Sequence, residues 1–317
     1  MTAGWVEVGE RVFVRRYAFF DQNIVVVLGR DEALVLDTRS THAQAREILD
    51  DLRELGSPVV GMVVNSHGHY DHAFGNRVFR PAPIWGHERC ASMLREAGER
   101  MRAAAAAEVP DIASDLAAVA IDPPERLFAE RATICLDDGR EVELRYLGRG
   151  HTDNDIVLRV DGADVLCAGD LLENGATPSF SDGYPMEWPA TAERLLAMTG
   201  PATVVVPGHG DHAGRAFVES QLAGFRAVAG AGRRVHAGEA TVDDVLPLIP
   251  WPAETAREPV ERAVAQLRGE HGGRYATVAE AMTTAGQVSV RRFVPSATWT
   301  SLIDGVGGAT GSMTARS

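Results

Sequence analysis

The segment His67-Gly68-His69-Tyr70-Asp71-His72 decides how this chain is read. Four groups able to hold a metal lie within six residues, directly after the apolar stretch Met62-Val63-Val64 and its Asn65-Ser66 exit. Imidazole and carboxylate together suit zinc, a borderline-soft ion that takes nitrogen and oxygen donors at about 2.0–2.2 Å. Gly68 is expected to let the backbone turn tightly, so that both flanking imidazoles converge. A lone His-x-His arises often by chance, whereas His-x-His-x-Asp-His is far more demanding.

Three further loops, each at the end of an apolar strand, extend the pattern. They are Gly148-Arg149-Gly150-His151-Thr152, Ala168-Gly169-Asp170 and Pro207-Gly208-His209-Gly210. Five of the ten histidines are thereby gathered beside glycine or aspartate at strand ends. The others read as ordinary. His212 suits a surface or supporting position, His87 a helix start, and His42, His236 and His271 the solvent.

Around these loops, β-branched runs predict strands over residues 11–17, 23–28, 33–37 and 59–64, with a helix over 41–55 that stops at Gly56. A helix is expected over 87–107. Asp137-Asp138-Gly139 and Asp161-Gly162 mark two hairpins, joining strands 133–136 with 141–147 and 156–160 with 165–168. Helices over 188–198 and 211–228 flank a strand at 203–206, and residues 241–292 read as mostly helical. No linker divides the chain, which favours a layered α/β domain with a helical C-terminal extension. The expected divisions are 1–235 for the main domain, 236–304 for the extension, and a small, polar, disordered tail over 305–317.

Taken in order, His67-x-His69-x-Asp71-His72, His151, Asp170 and His209 resemble the metal motifs of the metallo-β-lactamase superfamily, in its aspartate-bridged, glyoxalase-II-like branch. Asp37, at a strand end in Leu36-Asp37-Thr38, resembles the family's first aspartate. The resemblance covers about residues 10–230 and implies an αββα sandwich with two metals at one edge of the packed sheets. Carried over, His67, His69 and His151 would bind the first ion, Asp71, His72 and His209 the second, and Asp170 would bridge them. Asp37 and Thr152 would hold these ligands from behind. The implied cofactor is a pair of zinc ions, although iron and manganese accept the same donors. The implied reaction is attack by a bridging hydroxide on a small carbonyl substrate: a thioester, lactone, ester or amide, β-lactams included. Asp170 would act as the bridge in that step, and Asp71 would also orient the nucleophile.

Two departures from the family pattern stand out. Thiol-ligated lactamases use a cysteine where this chain has Asp170, and Cys167, inside a strand, reads as a buried apolar residue. Asn154 occupies a position, two after His151-Thr152, where many relatives carry glycine, and Asn tolerates the left-handed backbone that glycine favours. Tyr70 is expected beside the site or at its mouth. Phe180, Tyr184, Met186 and Trp188 are candidates for an apolar substrate wall, with packing beneath a loop as the competing reading. Trp251, Phe293 and Trp299 invite the same two readings.

An iron-dependent oxidoreductase of the persulfide-dioxygenase type would use the first site alone, and the complete second set speaks against it. A metal-stabilised binding protein without catalysis would need only a closed, four-coordinate site. A formal net charge of −13, with no local basic cluster, disfavours nucleic acid as a partner. No apolar run approaches the roughly 20 residues a bilayer span needs, so no membrane partner is expected. Cysteines at 90, 135 and 167 outside any Cys-x-x-Cys suit a reducing cytoplasm, and base rates favour a homodimer.

Overall fold

The structure is a computed structural model that describes residues 4–270. The predicted strand runs fold into an N-terminal set: β1 (Val6–Gly9), β2 (Val12–Tyr17), β3 (Gln22–Leu28), β4 (Glu32–Leu36), β5 (Val59–Val64), β6 (Ile84–His87) and β7 (Arg126–Phe128). A C-terminal set follows: β8 (Arg131–Cys135), β9 (Glu141–Tyr146), β10 (Ile156–Val160), β11 (Val165–Glu173) and β12 (Val204–His209). The helices are α1 (His42–Asp51), α2 (Tyr70–Ala73), α3 (Glu88–Glu108), α4 (Ala113–Ala117), α5 (Trp188–Ala197), α6 (Arg215–His236), α7 (Val242–Val245) and α8 (Ala253–Leu267).

Period-2 alternation on these strands creates the layers. On β3, Val25 and Val27 face one way, into a buried cluster shared with Val142, Leu144, Ile156, Leu158, Val165 and Cys167 of the other sheet. Ile24 and Val26 face the opposite way, against Ala45, Ile48 and Leu52 at α1 and its exit. On β11 the pattern repeats: Val165 and Cys167 enter the space between the sheets, while Leu166 and Ala168 meet α5 and α6. Helix, sheet, sheet, helix is the resulting order, an α/β sandwich of the αββα kind. Cys167 is buried among apolar side chains, as its position in a strand predicts, and burial pushes its thiol up to about 12.

Neighbouring strands run β7-β6-β5-β4-β3 in one half and β12-β11-β10-β9-β8 in the other. The halves meet where His209 of β12 pairs with Gln22 of β3. There the Asn23 amide donates to the carbonyls of Pro207 and Gly210, at 3.0 and 2.7 Å. β4, β5 and β6 are mutually parallel, as are β11 and β12, so their C-terminal ends gather at one edge of the sandwich.

The C-terminal helices share the main core. Ala256, Val260 and Ala263 of α8 pack into the cluster that holds Trp188 and Phe225, with the Trp188 and Phe225 rings stacked 4.6 Å apart. The short strands β1, β6 and β7 carry too few residues for a periodic signal and were not expected. The helix predicted over 211–228 begins four residues later, at Arg215, and runs to His236. Residues 271–304 of the expected extension, the expected tail, His271, Phe293 and Trp299 lie outside the described residues. Among the described residues no helix is long and apolar enough to cross a membrane.

Candidate metal centre

Every ligand predicted from sequence arrives at the same sandwich edge. His67 and His69 lie in the loop leaving β5, Asp71 and His72 in the single turn of α2. His151 follows β9, Asp170 lies within β11, and His209 ends β12. Close approach explains one of the glycines there: a Cβ on Gly208 would sit 1.8 Å from the Asp170 carboxylate. Gly68 serves differently from expectation. Its φ is not left-handed, and a Cβ would meet the Met93 sulfur at 3.0 Å, so the small residue is needed for packing and not for a tight turn.

Hydrogen bonds on the far side of each ring fix which nitrogen faces inward. The Ser66 hydroxyl donates to Asp37 at 2.7 Å and therefore accepts from His67 Nδ1–H at 3.0 Å. His72 Nδ1–H donates to Asp37 at 2.8 Å. His69 Nε2–H donates to Asp182 at 2.9 Å, His151 Nδ1–H to the Ser179 carbonyl at 3.0 Å, and His209 Nδ1–H to the Phe20 carbonyl at 2.7 Å. The five inward nitrogens of the neutral rings therefore all carry lone pairs.

These lone pairs converge. His69 Nδ1 lies 2.8 Å from His151 Nε2 and 3.1 Å from His67 Nε2, and His72 Nε2 lies 3.2 Å from His209 Nε2. Asp71 Oδ2 adds contacts of 3.3 and 3.4 Å to His72 and His209. Asp170 reaches both groups, at 3.5 Å from His151 and 3.3 Å from His72 and His209, and its Oδ1 is buried without a hydrogen bond. Facing lone pairs at such distances repel unless a cation lies among them. A tetrahedral ion with bonds of about 2.0–2.2 Å sets donor separations of about 3.3–3.6 Å; the aspartate contacts of 3.3–3.5 Å fall in that range, and the imidazole separations of 2.8–3.2 Å lie a little inside it. The residues thus fit two adjoining metal positions joined by Asp170.

Charge is balanced unevenly between the two sets. Burial, with His72 next in effect, holds the His67 imidazole well below its ordinary value, and burial with the His69 charge lowers His151 to about 4. Burial opposes protonation of His72 and His209 too, but the facing Asp170 and Asp71 carboxylates outweigh it and raise both well above the ordinary range. His69 is raised, Asp182 offsetting its burial. Asp170, buried, is nonetheless held well below the usual carboxylate range by His72 and His209.

A family model described as the metallo-beta-lactamase superfamily matches residues 17–209, which contain every residue of this centre. The chain belongs to that superfamily. A curated relative, metallo-beta-lactamase type 2 of Bacteroides fragilis, is 25% identical over 211 residues, 65% of this chain and 76% of the relative. The type 2 enzyme of Pseudomonas aeruginosa is 21% identical over 189 residues, covering 59% and 67%. Among solved structures, a metallo-beta-lactamase from Pontibacter korlensis superposes with a TM-score of 0.57 at 19% identity, over 70% of this chain and 98% of its own. As a member of this superfamily the chain is a metal-dependent hydrolase by kinship, with His/Asp clusters able to hold the metal.

Other sequence expectations divide. Asp37 sits behind the ligands, its carboxylate accepting from Ser66 N–H, Ser66 Oγ–H and His72. Thr152 touches no ligand; its hydroxyl and N–H donate to the buried Asp155, which shapes the loop after His151. Asn154 is not in a left-handed conformation. Its side-chain oxygen instead accepts Gly68 N–H at 2.9 Å, tying the His151 loop to the His67–His72 loop. Phe180 and Trp188 are fully buried with Phe225 and Trp251, so they form core and not a substrate wall. Met186 is half-buried against the same core. Tyr184 lies beneath Arg149, whose guanidinium is 4.9 Å from its ring. Tyr70 is buried, its ring edge-on to Phe20. His87 caps α3, accepting Arg89 N–H, and His212 and His236 are exposed.

Several contributors were not foreseen. Asp182 lies in an irregular loop and has no spacing relation to the metal motifs. Ser66 adjoins His67 and was readable as a partner. The Phe20 and Ser179 carbonyls carry no side-chain signal at all. Phe20 has a left-handed φ of 58°, and beside it Arg16 spans Asp21 and Asp211.

Proposed function

We propose that this protein is a dinuclear zinc hydrolase that cleaves a small carbonyl substrate: a thioester, lactone, ester or amide. One observation carries the reading: five imidazole lone pairs and the orphaned Asp170 oxygen converge as two adjoining donor sets. The names of the two relatives reported above, both metallo-beta-lactamases, support β-lactams among the candidate amides. When bound, such a metal pair would supply a water acidified towards neutrality and a Lewis acid for the substrate carbonyl.

The remaining work belongs to the chain. Asp71 and His209 are the more exposed members, with side chains 14% and 15% accessible against 0% for His67 and His72, so substrate approaches from their side. Asp71, beside both His72 and His209, is placed to orient the attacking oxygen and to accept its proton. Asp37, Asp182, Ser179 and Phe20 keep the imidazoles in the tautomers that accept a cation. Three free cysteines agree with a reducing compartment such as the cytoplasm.

Metal content per chain, measured on protein purified without chelator or added metal, tests the reading. Two zinc ions with turnover of chromogenic esters, thioesters, lactones or β-lactams is the expected result. A single iron would replace hydrolysis with oxidoreductase chemistry.

The two ions should also differ in their response to acid. An ion in the Asp71/His72/His209 set must displace protons from two imidazoles whose values are raised, so its affinity falls as pH falls through those values. In the other set only His69 is raised, while His67 is held well below its ordinary value and His151 is lowered to about 4, so an ion there displaces fewer protons. Acidifying the loaded protein under dialysis should therefore release one ion before the other. Simultaneous release of both would contradict this order.

A further inference from the structure

Beyond the donors of the two metal sets, one more acid faces the centre: Glu173, at the end of β11. Its carboxylate lies within 4.8 Å of the donor atoms of His151 and Asp170, and the residue is 8% exposed. One oxygen accepts Ser179 N–H at 3.1 Å, which fixes the side chain in place. His67, His69 and His151 form one donor group, and Asp170 approaches His67 and His151 at 3.8 and 3.5 Å, so an ion there has four donors without Glu173.

Among the described residues, the charged groups that act on this carboxylate are the Asp170 and Asp71 carboxylates and the His209 imidazole. The chain contains no lysine, all 31 of its basic residues being arginine. Among the described residues, no arginine forms an ion pair with Asp71, Asp170, Glu173 or Asp182; the ion-pair partners of the three aspartates are histidines. The nearby arginines are committed elsewhere. Arg149 covers Tyr184, Arg16 spans Asp21 and Asp211, and Arg262 Nε donates to the Gly183 carbonyl. Apart from the metal ions themselves, a substrate with a carboxylate beside its scissile bond would therefore face Glu173 and Asp182, neither of which is paired with an arginine among the described residues.

We infer that Glu173 is a specificity-determining residue that receives an ammonium or N–H donor next to the substrate's scissile carbonyl, so that amine-bearing carbonyl compounds are selected over carboxylate-bearing ones. This rests on the metal-centred reading proposed above. Cations in the two donor sets would also offset the Asp170 charge that faces Glu173, leaving it free to act as an acceptor.

Binding of small thiols to cobalt-loaded protein tests the inference without any turnover. The probes are 2-aminoethanethiol, 2-mercaptoethanol and mercaptoacetate, followed by the visible spectrum of the bound cobalt. Wild-type protein should bind the aminothiol about tenfold more tightly than mercaptoacetate, the discrimination expected when one favourable charge contact replaces an unfavourable one. Glu173→Gln, which keeps the shape, should bring the two within about threefold at unchanged cobalt content, and Glu173→Lys should reverse the order. Equal binding of both thiols by the wild type, an unaltered preference in Glu173→Gln, or loss of cobalt from that variant would overturn the inference alone. Failure of the wild type to take up cobalt or zinc would overturn both it and the metal-centred reading.

Discussion

Asp170→Ala protein should fold but retain at most one metal ion per chain, and its turnover should fall by about a thousandfold. Asp170 is the residue that both donor sets share, with contacts of 3.3–3.8 Å to four imidazoles. Its removal leaves His72 and His209 facing each other at 3.2 Å with only Asp71 to balance a cation. Electrostatic stabilisation by a bound metal is worth several kcal/mol, and about 4 kcal/mol corresponds to that thousandfold. Asp170→Asn separates charge from shape, since it preserves volume beside Gly208 and lacks the negative charge. It should resemble Asp170→Ala in metal content. Elemental analysis together with steady-state kinetics decides the matter, and wild-type turnover with a full metal complement in either variant would refute the bridging assignment.

The second large effect is expected at a residue that touches no substrate. Asp37, 2% exposed, accepts from Ser66 N–H, Ser66 Oγ–H and His72 Nδ1–H, and Ser66 in turn holds His67. One carboxylate thus fixes an imidazole in each donor set. Asp37→Ala strands these buried donors, at a cost of about 1–3 kcal/mol for each group left without a partner. It also frees both rings to change tautomer, which typically lowers metal affinity or activity by about 10- to 100-fold. Thermal unfolding with and without zinc separates the two contributions. If the structural cost dominates, both midpoints fall equally; the arrangement seen here predicts that the zinc-dependent increment itself shrinks.

Legibility of the site from sequence follows from how each contribution is encoded. Residues whose side chains must converge on a cation carry a restricted chemistry and sit at strand ends, so His67, His69, Asp71, His72, His151, Asp170 and His209 stood out. The outer layer is less legible because it draws on whatever lies nearby. Main-chain carbonyls of Phe20 and Ser179 serve as well as a side chain would, and no residue identity is demanded there. Asp182 sits in a loop without periodicity, so only the folded chain brings it to His69. For the aromatic cluster the sequence left two readings open, a substrate wall or packing beneath a loop, and the structure shows the second for Phe180 and Trp188. Phe180 and Trp188 follow the metal motif in sequence, yet the strand-to-helix connection returns them beneath the sheet, where burial of large rings outweighs any place at the mouth. Strands of five residues or more were readable, while β6 and β7, at four and three residues, depend on pairing, β6 against β5 and β7 against β6.

The position of β12 has a consequence for the order in which the protein acquires its parts. Among the described residues this strand is made last, yet it stands between β3 and β11 at the junction of the two half-sheets. During synthesis, the residues of the His67/His69/His151/Asp170 set have all left the ribosome when residue 170 emerges. The neighbouring set waits for His209, which is useful only once β12 has docked. Capture of a second ion would therefore mark the final closure of the sandwich, and a nascent chain halted before residue 204 would expose two unjoined sheet edges where the finished protein has a continuous one.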